Sequence, residues 1–289
     1  MSLVESLKYS PAVVGLYEKI LEQRCASVDS YIFVATTGRS GSTSLSRIFE
    51  AADNAVCLHE PYPAMQSRHP DPASKKAFFE HKFRNKKKIN ILRAAAGHRY
   101  YLETNHMFLK NFFEPAADYF EHRLRVIHLV RDPVRVASSF FAIDSIPGKA
   151  GMGSLYLLNP AHEDNLIQIN DLLDGDPEFG HDLYKCLWYW YEIEARVQHY
   201  RTTYPELRWA DLKTEELNEK SALARMFGEI GVQFDEQKLD QLVGNRSNLK
   251  KDRKQQAVAW NEAETMHIRL REKIEERYDV FATGQKPGD

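Results

Sequence analysis

Cysteine is scarce in this chain: Cys25, Cys57 and Cys186 are odd in number, far apart and outside any C-x-x-C or Cys/His metal spacing. That excludes a disulfide framework or a zinc staple as the organising device and predicts free thiols in a reducing, cytoplasmic compartment. Long apolar runs are also lacking. Nothing approaches the ~18 uninterrupted apolar residues of a membrane span, and residues 1–10 do not resemble a signal peptide, so no transmembrane segment is expected. Neither sign of charge dominates: 39 Lys and Arg against 41 Asp and Glu leave −2, which gives no whole-chain attraction to nucleic acid or to an anionic membrane. There is no internal repeat and no low-complexity tract.

What is present is the pattern of an α/β protein. Val13, Tyr17, Ile20 and Leu21 share one helical face, and the chain then enters an apolar run at 31–35 suited to a buried strand. A Gly/Ser turn at 38–43 follows, then Leu45, Ile48, Phe49 and Ala52 at helical spacing, then an extended run at 55–58, which together read as a βαβ unit. Further extended runs at 100–103, 125–130 and 207–212 are separated by stretches long enough for crossover helices. The expected fold is therefore a central parallel sheet of about five strands flanked by helices. One helix is traced by Leu183, Leu187, Trp190, Ile193 and Val197, another by Leu223, Met226, Phe227 and Ile230, and a last over 255–277. Gly and Pro punctuate 144–180, which predicts a long loop or lid on the acceptor side. Residues 1–289 are expected to form one domain. The run Lys86, Lys87, Lys88 has no interleaved aromatics and reads as a solvated surface.

The turn between the first strand and its helix reads Ala35-Thr-Thr-Gly38-Arg39-Ser40-Gly41-Ser42-Thr43-Ser44. Backbone N–H groups converge where a strand passes through glycines into a helix, and such a turn holds a phosphate. A nucleoside-triphosphatase loop, G-x-x-x-x-G-K-[ST], needs Gly at 36 and Lys at 42; the chain has Thr36 and Ser42. The cation is Arg39 instead, ahead of the turn. This resembles the 5′-phosphosulfate loop of sulfotransferases that use 3′-phosphoadenosine 5′-phosphosulfate (PAPS), with Arg39 where the cytosolic branch has Lys, as in the carbohydrate-type and bacterial branches. A second family motif, a strand ending Arg-Asp-Pro with a Ser eight residues after the Arg, is matched by Arg131-Asp132-Pro133 and Ser139; Asp132 and Pro133 also read as an N-cap and N1 pair. A weaker echo is Arg208-Trp-Ala-Asp-Leu212.

The resemblance implies a P-loop sulfotransferase fold that moves a sulfuryl group from PAPS to a hydroxyl and releases 3′-phosphoadenosine 5′-phosphate (PAP). It implies that Arg39, the backbone N–H groups from Gly41 to Ser44, and the Ser42 and Thr43 hydroxyls hold the 5′-phosphosulfate, with Ser40 in the same loop, and that Arg131 and Ser139 hold the 3′-phosphate. No metal is required, because Arg carries a permanent, forked positive charge. In-line transfer also needs a base for the acceptor's proton. Glu60, in His59-Glu60-Pro61, follows the second strand and opens at the sheet's carboxyl edge; His106, after Glu103-Thr104-Asn105, ends the third strand at the same edge. Glu60, His106 and Glu103 all remain candidates, while strand alternation turns His59 away. The R-K-G-x-x-G segment of the cytosolic branch is missing; the basic run at 244–254 stands in the corresponding part of the chain. The acceptor is unidentified, with a sugar hydroxyl favoured. Two alternatives are an ATP/Mg²⁺ kinase and a catalytically silent nucleotide-binding protein.

Overall fold

The computed structural model describes residues 11–66, 72–243 and 258–278, and the basic run at 244–254 lies outside them. Strands β1 (Ser30–Ala35), β2 (Ala55–His59), β3 (Tyr100–Thr104), β4 (Leu124–Val130) and β5 (Arg208–Lys213) form one sheet in the order β2-β3-β1-β4-β5. Every neighbouring pair is parallel. β1 is buried at every residue, as a strand covered on both faces must be, and this is why its sequence is an unbroken apolar run instead of an alternation.

Alternation within β1 divides the molecule into two layers. Tyr31, Phe33 and Ala35 face one layer, where Tyr31 stacks on Phe120 at 4.0 Å and Phe33 on Phe108 at 4.8 Å. Ile32 and Val34 face the other. The first layer is built from α1 (Pro11–Arg24), α3 (Pro72–Lys82), α4 (Lys88–Ala95), α5 (Phe108–Asn111), α6 (Phe113–Phe120) and α7 (Pro133–Phe141), with α8 (Met152–Tyr156), α9 (Asn170–Gly175), the long α10 (Asp182–Thr203) and, after two helices of the other layer, α13 (Trp260–Glu275). The second layer holds α2 (Ser42–Ile48), α11 (Lys220–Glu229) and α12 (Glu236–Leu242). The strand expectations hold to within a residue or two at each end. The last helix starts at Trp260 among the described residues, short of the expected 255.

Two expectations are corrected. The 144–180 segment is not one long loop: it carries α8 and α9 and is packed down, with Ile146, Ile167 and Ile169 fully buried. Glu192 on α10 accepts the N–H groups of Leu166 and Ile167 at 3.2 and 2.8 Å, and Trp188 Nε1 donates to the Ile167 carbonyl at 2.7 Å. Gly153 permits the fold-back, since a Cβ there would lie 1.8 Å from the Ile146 carbonyl oxygen. The second correction concerns Lys87 and Lys88, which are buried, while Lys86 is exposed. A π-helical turn, Phe83–Lys87, inserts an extra residue between α3 and α4 and turns Lys87 inward, where its Nζ meets Glu103 Oε1 at 2.7 Å. Lys88 pairs with Glu18 over the Tyr119 ring.

Candidate active site

The loop leaving β1 turns back through three left-handed residues, Gly38 (φ 83°), Arg39 (φ 60°) and Gly41 (φ 87°). Gly41 is also required by space, because a Cβ there would come within 2.7 Å of Leu217 Cδ1. The loop is tied internally by Thr37 and Ser40, whose hydroxyls lie 3.0 Å apart and both donate to the Gly38 carbonyl region, at 2.8 and 3.1 Å. From outside, Thr214 Oγ1 at the end of β5 bonds the Ser40 and Val130 carbonyls at 2.8 and 3.1 Å. The Ser44 N–H is turned back onto the Gly41 carbonyl at 2.9 Å, which leaves the N–H groups of Gly41, Ser42 and Thr43 at the open first turn of α2.

The end of β4 lies beside this loop because β1 and β4 are neighbours in register, Ala35 opposite His128. Arg131 Nη1 donates to the Arg39 carbonyl at 2.7 Å, and Arg39 Nε donates to Ser139 Oγ at 2.8 Å. Asp132 Oδ1 caps α7 by accepting the Arg135 N–H at 2.8 Å, with Pro133 in its first turn. Trp190 Nε1 on α10 donates to the Arg131 carbonyl at 2.8 Å. Arg39 is thus brought to Arg131 and to Ser139 on α7, which stand 92 and 100 positions further along the chain. Arg131 Nε is buried with no hydrogen-bond partner. Burial first, then the Arg135 and Arg39 cations, lower the pKa of Arg131; a phosphate bound here would relieve both the orphaned donor and the crowded positive charge. A cleft of about 160 Å³ opens at this point, lined by Arg131, Trp190, Lys213 and Glu215 among others.

The base candidates meet at the ends of β2 and β3. The Glu60 N–H extends the ladder to the Thr104 carbonyl at 3.0 Å, and its own left-handed backbone (φ 46°) turns the side chain to His106, with Oε1 3.5 Å from Nε2. Glu60 is 37 % exposed and His106 12 %, so the carboxylate is the more accessible of the two. The His106 ring lies against the phosphate loop: a Cβ on Gly38 would be 3.3 Å from its Cγ. Burial, then Lys110 and then His59, push the His106 pKa well below its ordinary value. His59 has Nδ1 2.8 Å from Thr104 Oγ1 and Nε2 3.3 Å from Thr43 Oγ1 in the phosphate loop. Glu103 is not brought to the loop. It is fully buried, with Lys87 and Asn105 on Oε1 at 2.7 and 2.8 Å and Tyr101 on Oε2 at 2.7 Å.

A family model for the sulfotransferase domain matches residues 29–278, nearly the whole chain. The chain belongs to the sulfotransferase family. No curated protein matches it. Among solved structures, this sulfotransferase is similar to one from Alicyclobacillus acidocaldarius, at 14 % identity and TM-score 0.44 over 88 % of this chain and 98 % of that one. A sulfotransferase domain from the curacin biosynthetic pathway shares 14 % identity, TM-score 0.42, over 76 % and 79 %. A retinol dehydratase solved with androsterone and inactive cofactor PAP shares 15 %, TM-score 0.37, over 89 % and 82 %. Likeness at this level carries no residue-by-residue correspondence.

Sequence reasoning missed three residues of this sulfotransferase's site. Thr214 stands just past the β5 echo and carries no motif. Tyr189 precedes the noted Trp190, and its hydroxyl donates to the Thr37 carbonyl at 3.0 Å. Lys110 lies one helical turn after His106 and bonds its Nδ1 at 3.0 Å; the i, i+4 spacing was the available signal.

Proposed function

We propose that this sulfotransferase-family protein transfers a sulfuryl group from PAPS to a hydroxyl of its acceptor and releases PAP. The observation that carries the reading is the meeting of Arg39, Arg131 and Ser139 around a buried, unpartnered guanidinium Nε. PAPS differs from ATP-like ligands by its 3′-phosphate, and Arg131 with Ser139 supplies a second anion position beside the loop. The open first turn of α2 and the Ser42 and Thr43 hydroxyls hold the 5′-phosphosulfate. Arg39 stands between the two positions and stabilises the charge that builds on the departing 5′-phosphate. A permanently charged guanidinium does this without a metal.

In the transfer the acceptor oxygen bonds to sulfur, the bond from sulfur to the 5′-phosphate oxygen breaks with its electron pair going to that oxygen, and the hydroxyl proton passes to Glu60 or His106. Arg39 in place of Lys, together with Glu60-Pro61, resembles the carbohydrate-type branch and supports a sugar hydroxyl as acceptor. The free thiols of Cys25, Cys57 and Cys186 support a reducing, cytoplasmic setting.

The test is transfer from PAPS labelled with sulfur-35 to a panel of saccharides, phenols and alcohols. Labelled acceptor and PAP should appear together, and Arg39→Ala should cut the rate by about 10²–10³-fold, the usual cost of one preorganised donor. Phosphorylated product from ATP and Mg²⁺, with none from PAPS, would instead establish the kinase. PAP binding without transfer to any acceptor would establish the silent binder.

A further inference from the structure

Lys110 has no role in the chemistry so far described, yet its ammonium is placed at the centre of the site. Its Nζ bonds the Tyr156 carbonyl at 2.6 Å, the Tyr189 hydroxyl at 2.9 Å and His106 Nδ1 at 3.0 Å. An ammonium has three donors and no acceptor, and here three acceptors surround it. Tyr189 accepts because its own hydrogen goes to the Thr37 carbonyl in the phosphate loop. One side chain therefore ties the β3 edge to α8, α10 and the loop.

An Nδ1 that accepts from the Lys110 ammonium leaves the ring hydrogen on Nε2, which faces Glu60 Oε1 at 3.5 Å. Glu60 makes the same demand from the other end, since a carboxylate needs a donor opposite it and an Nε2 lone pair would repel it. Both ends of the ring select one tautomer. A ring held in that tautomer has no lone pair pointing to the exposed side, so it cannot take the acceptor's proton there. On the reading that this protein transfers a sulfuryl group, we infer that Lys110 is a positioning residue: it holds His106 as the Nε2–H tautomer, so that His106 orients Glu60 and Glu60 alone is the base.

The step balances. The acceptor O–H proton moves to a Glu60 oxygen, the freed pair becomes the new O–S bond, and the pair of the breaking S–O bond remains on the 5′-phosphate. The charged and titratable groups around the ring are Glu60, Lys110 and His59, with the Tyr156 ring tilted beside it, centroids 5.8 Å apart. Burial pushes the pKa of Lys110 well down, Lys75 adds to this, and Glu60 across the ring opposes it.

Two readouts test the proposal on the full chain. Nitrogen-15 NMR of histidine-labelled protein, with the His106 signals assigned by their loss in His106→Gln, reports the tautomer directly and needs no acceptor. The wild type should show Nε2–H, and Lys110→Met should release the ring to a mixture; Nδ1–H in the wild type overturns the inference even if Lys110→Met fails to fold. The second readout is the sulfur-35 transfer rate. Glu60→Gln should lose about 10²–10⁴-fold, the range for a general base, whereas His106→Gln, which keeps an N–H donor, should stay within about tenfold of wild type, the scale of one hydrogen bond. A His106→Gln loss as deep as that of Glu60→Gln overturns it. PAP binding is measured alongside. Loss of PAP binding in the wild type would sink the sulfotransfer reading itself, while intact PAP binding with the wrong tautomer sinks only this inference.

Discussion

Lys87 illustrates how much a single residue can depend on a partner the local sequence does not announce. It is 1 % exposed and its ammonium faces the fully buried Glu103 carboxylate. Burial lowers the Lys87 pKa, and the attraction of Glu103 only partly restores it, so the pair is costly to keep and more costly to break. Lys87→Met strands a buried carboxylate and is expected to cost about 3–5 kcal/mol. Urea denaturation checks this; a change below about 1 kcal/mol would mean that Tyr101 and Asn105 alone satisfy Glu103. The contrast with Arg39, Arg131 and Ser139 is instructive. Those residues were legible because each sits inside a short motif, and the structure brings them together. Lys87 was read as wet surface because it stands in a run of like charge, and its ion-pair partner belongs to another element 16 residues on. Lys110 was missed for a related reason: its Tyr189 partner is 79 positions away.

At the scale of elements, extended runs located all five strands, most plainly β1 and β4, because a strand covered on both faces has little freedom in composition. What composition does not encode is the π-turn of Phe83–Lys87, whose Lys87 meets the buried Glu103, or the fold-back of 144–180 onto α10, held by the buried Glu192; both carboxylates are reached only after folding. A third device joins β4, β5 and α10. His128 Nε2 lies 3.1 Å from Glu194 and Nδ1 lies 2.9 Å from Asp211, which Arg201 also holds. Burial alone would lower the His128 pKa, but Glu194 and Asp211 outweigh it and raise it from 6.5 to about 9. Since the folded value lies above the unfolded one, the stabilisation is complete below about pH 6.5 and is lost as pH rises through about 9. Asp211 works in the opposite direction: burial raises its pKa, the hydrogen bonds from His128 and Arg201 more than offset this, and it falls from 3.8 to about 2. Its share is therefore lost as pH falls toward 2. Denaturant midpoints should drop between pH 6.5 and 9.5 in the wild type and be flatter in His128→Gln; equal slopes would remove His128 from the account.

For the whole molecule, the sheet order explains why distant motifs converge. β1 is central, with β3 and β4 on its two sides, so all strands open at one carboxyl edge and the chain reverses direction there, the place where open α/β sheets bind ligands. The loops after β1 and β4 supply the two proposed anion positions, and those after β2 and β3 supply Glu60 and His106. The order of strands was not legible, because extended runs locate strands without saying which are neighbours. The sulfotransferase motifs were legible without it. The most direct test of the central claim is a thermal-shift titration with PAP, and separately with ATP and Mg²⁺, on wild type and Arg131→Ala. A ligand at ~100 times its Kd adds about 2.7 kcal/mol to stability. PAP alone should raise the wild-type midpoint and Arg131→Ala should abolish the rise; stabilisation by ATP with Mg²⁺ but not by PAP would contradict the account.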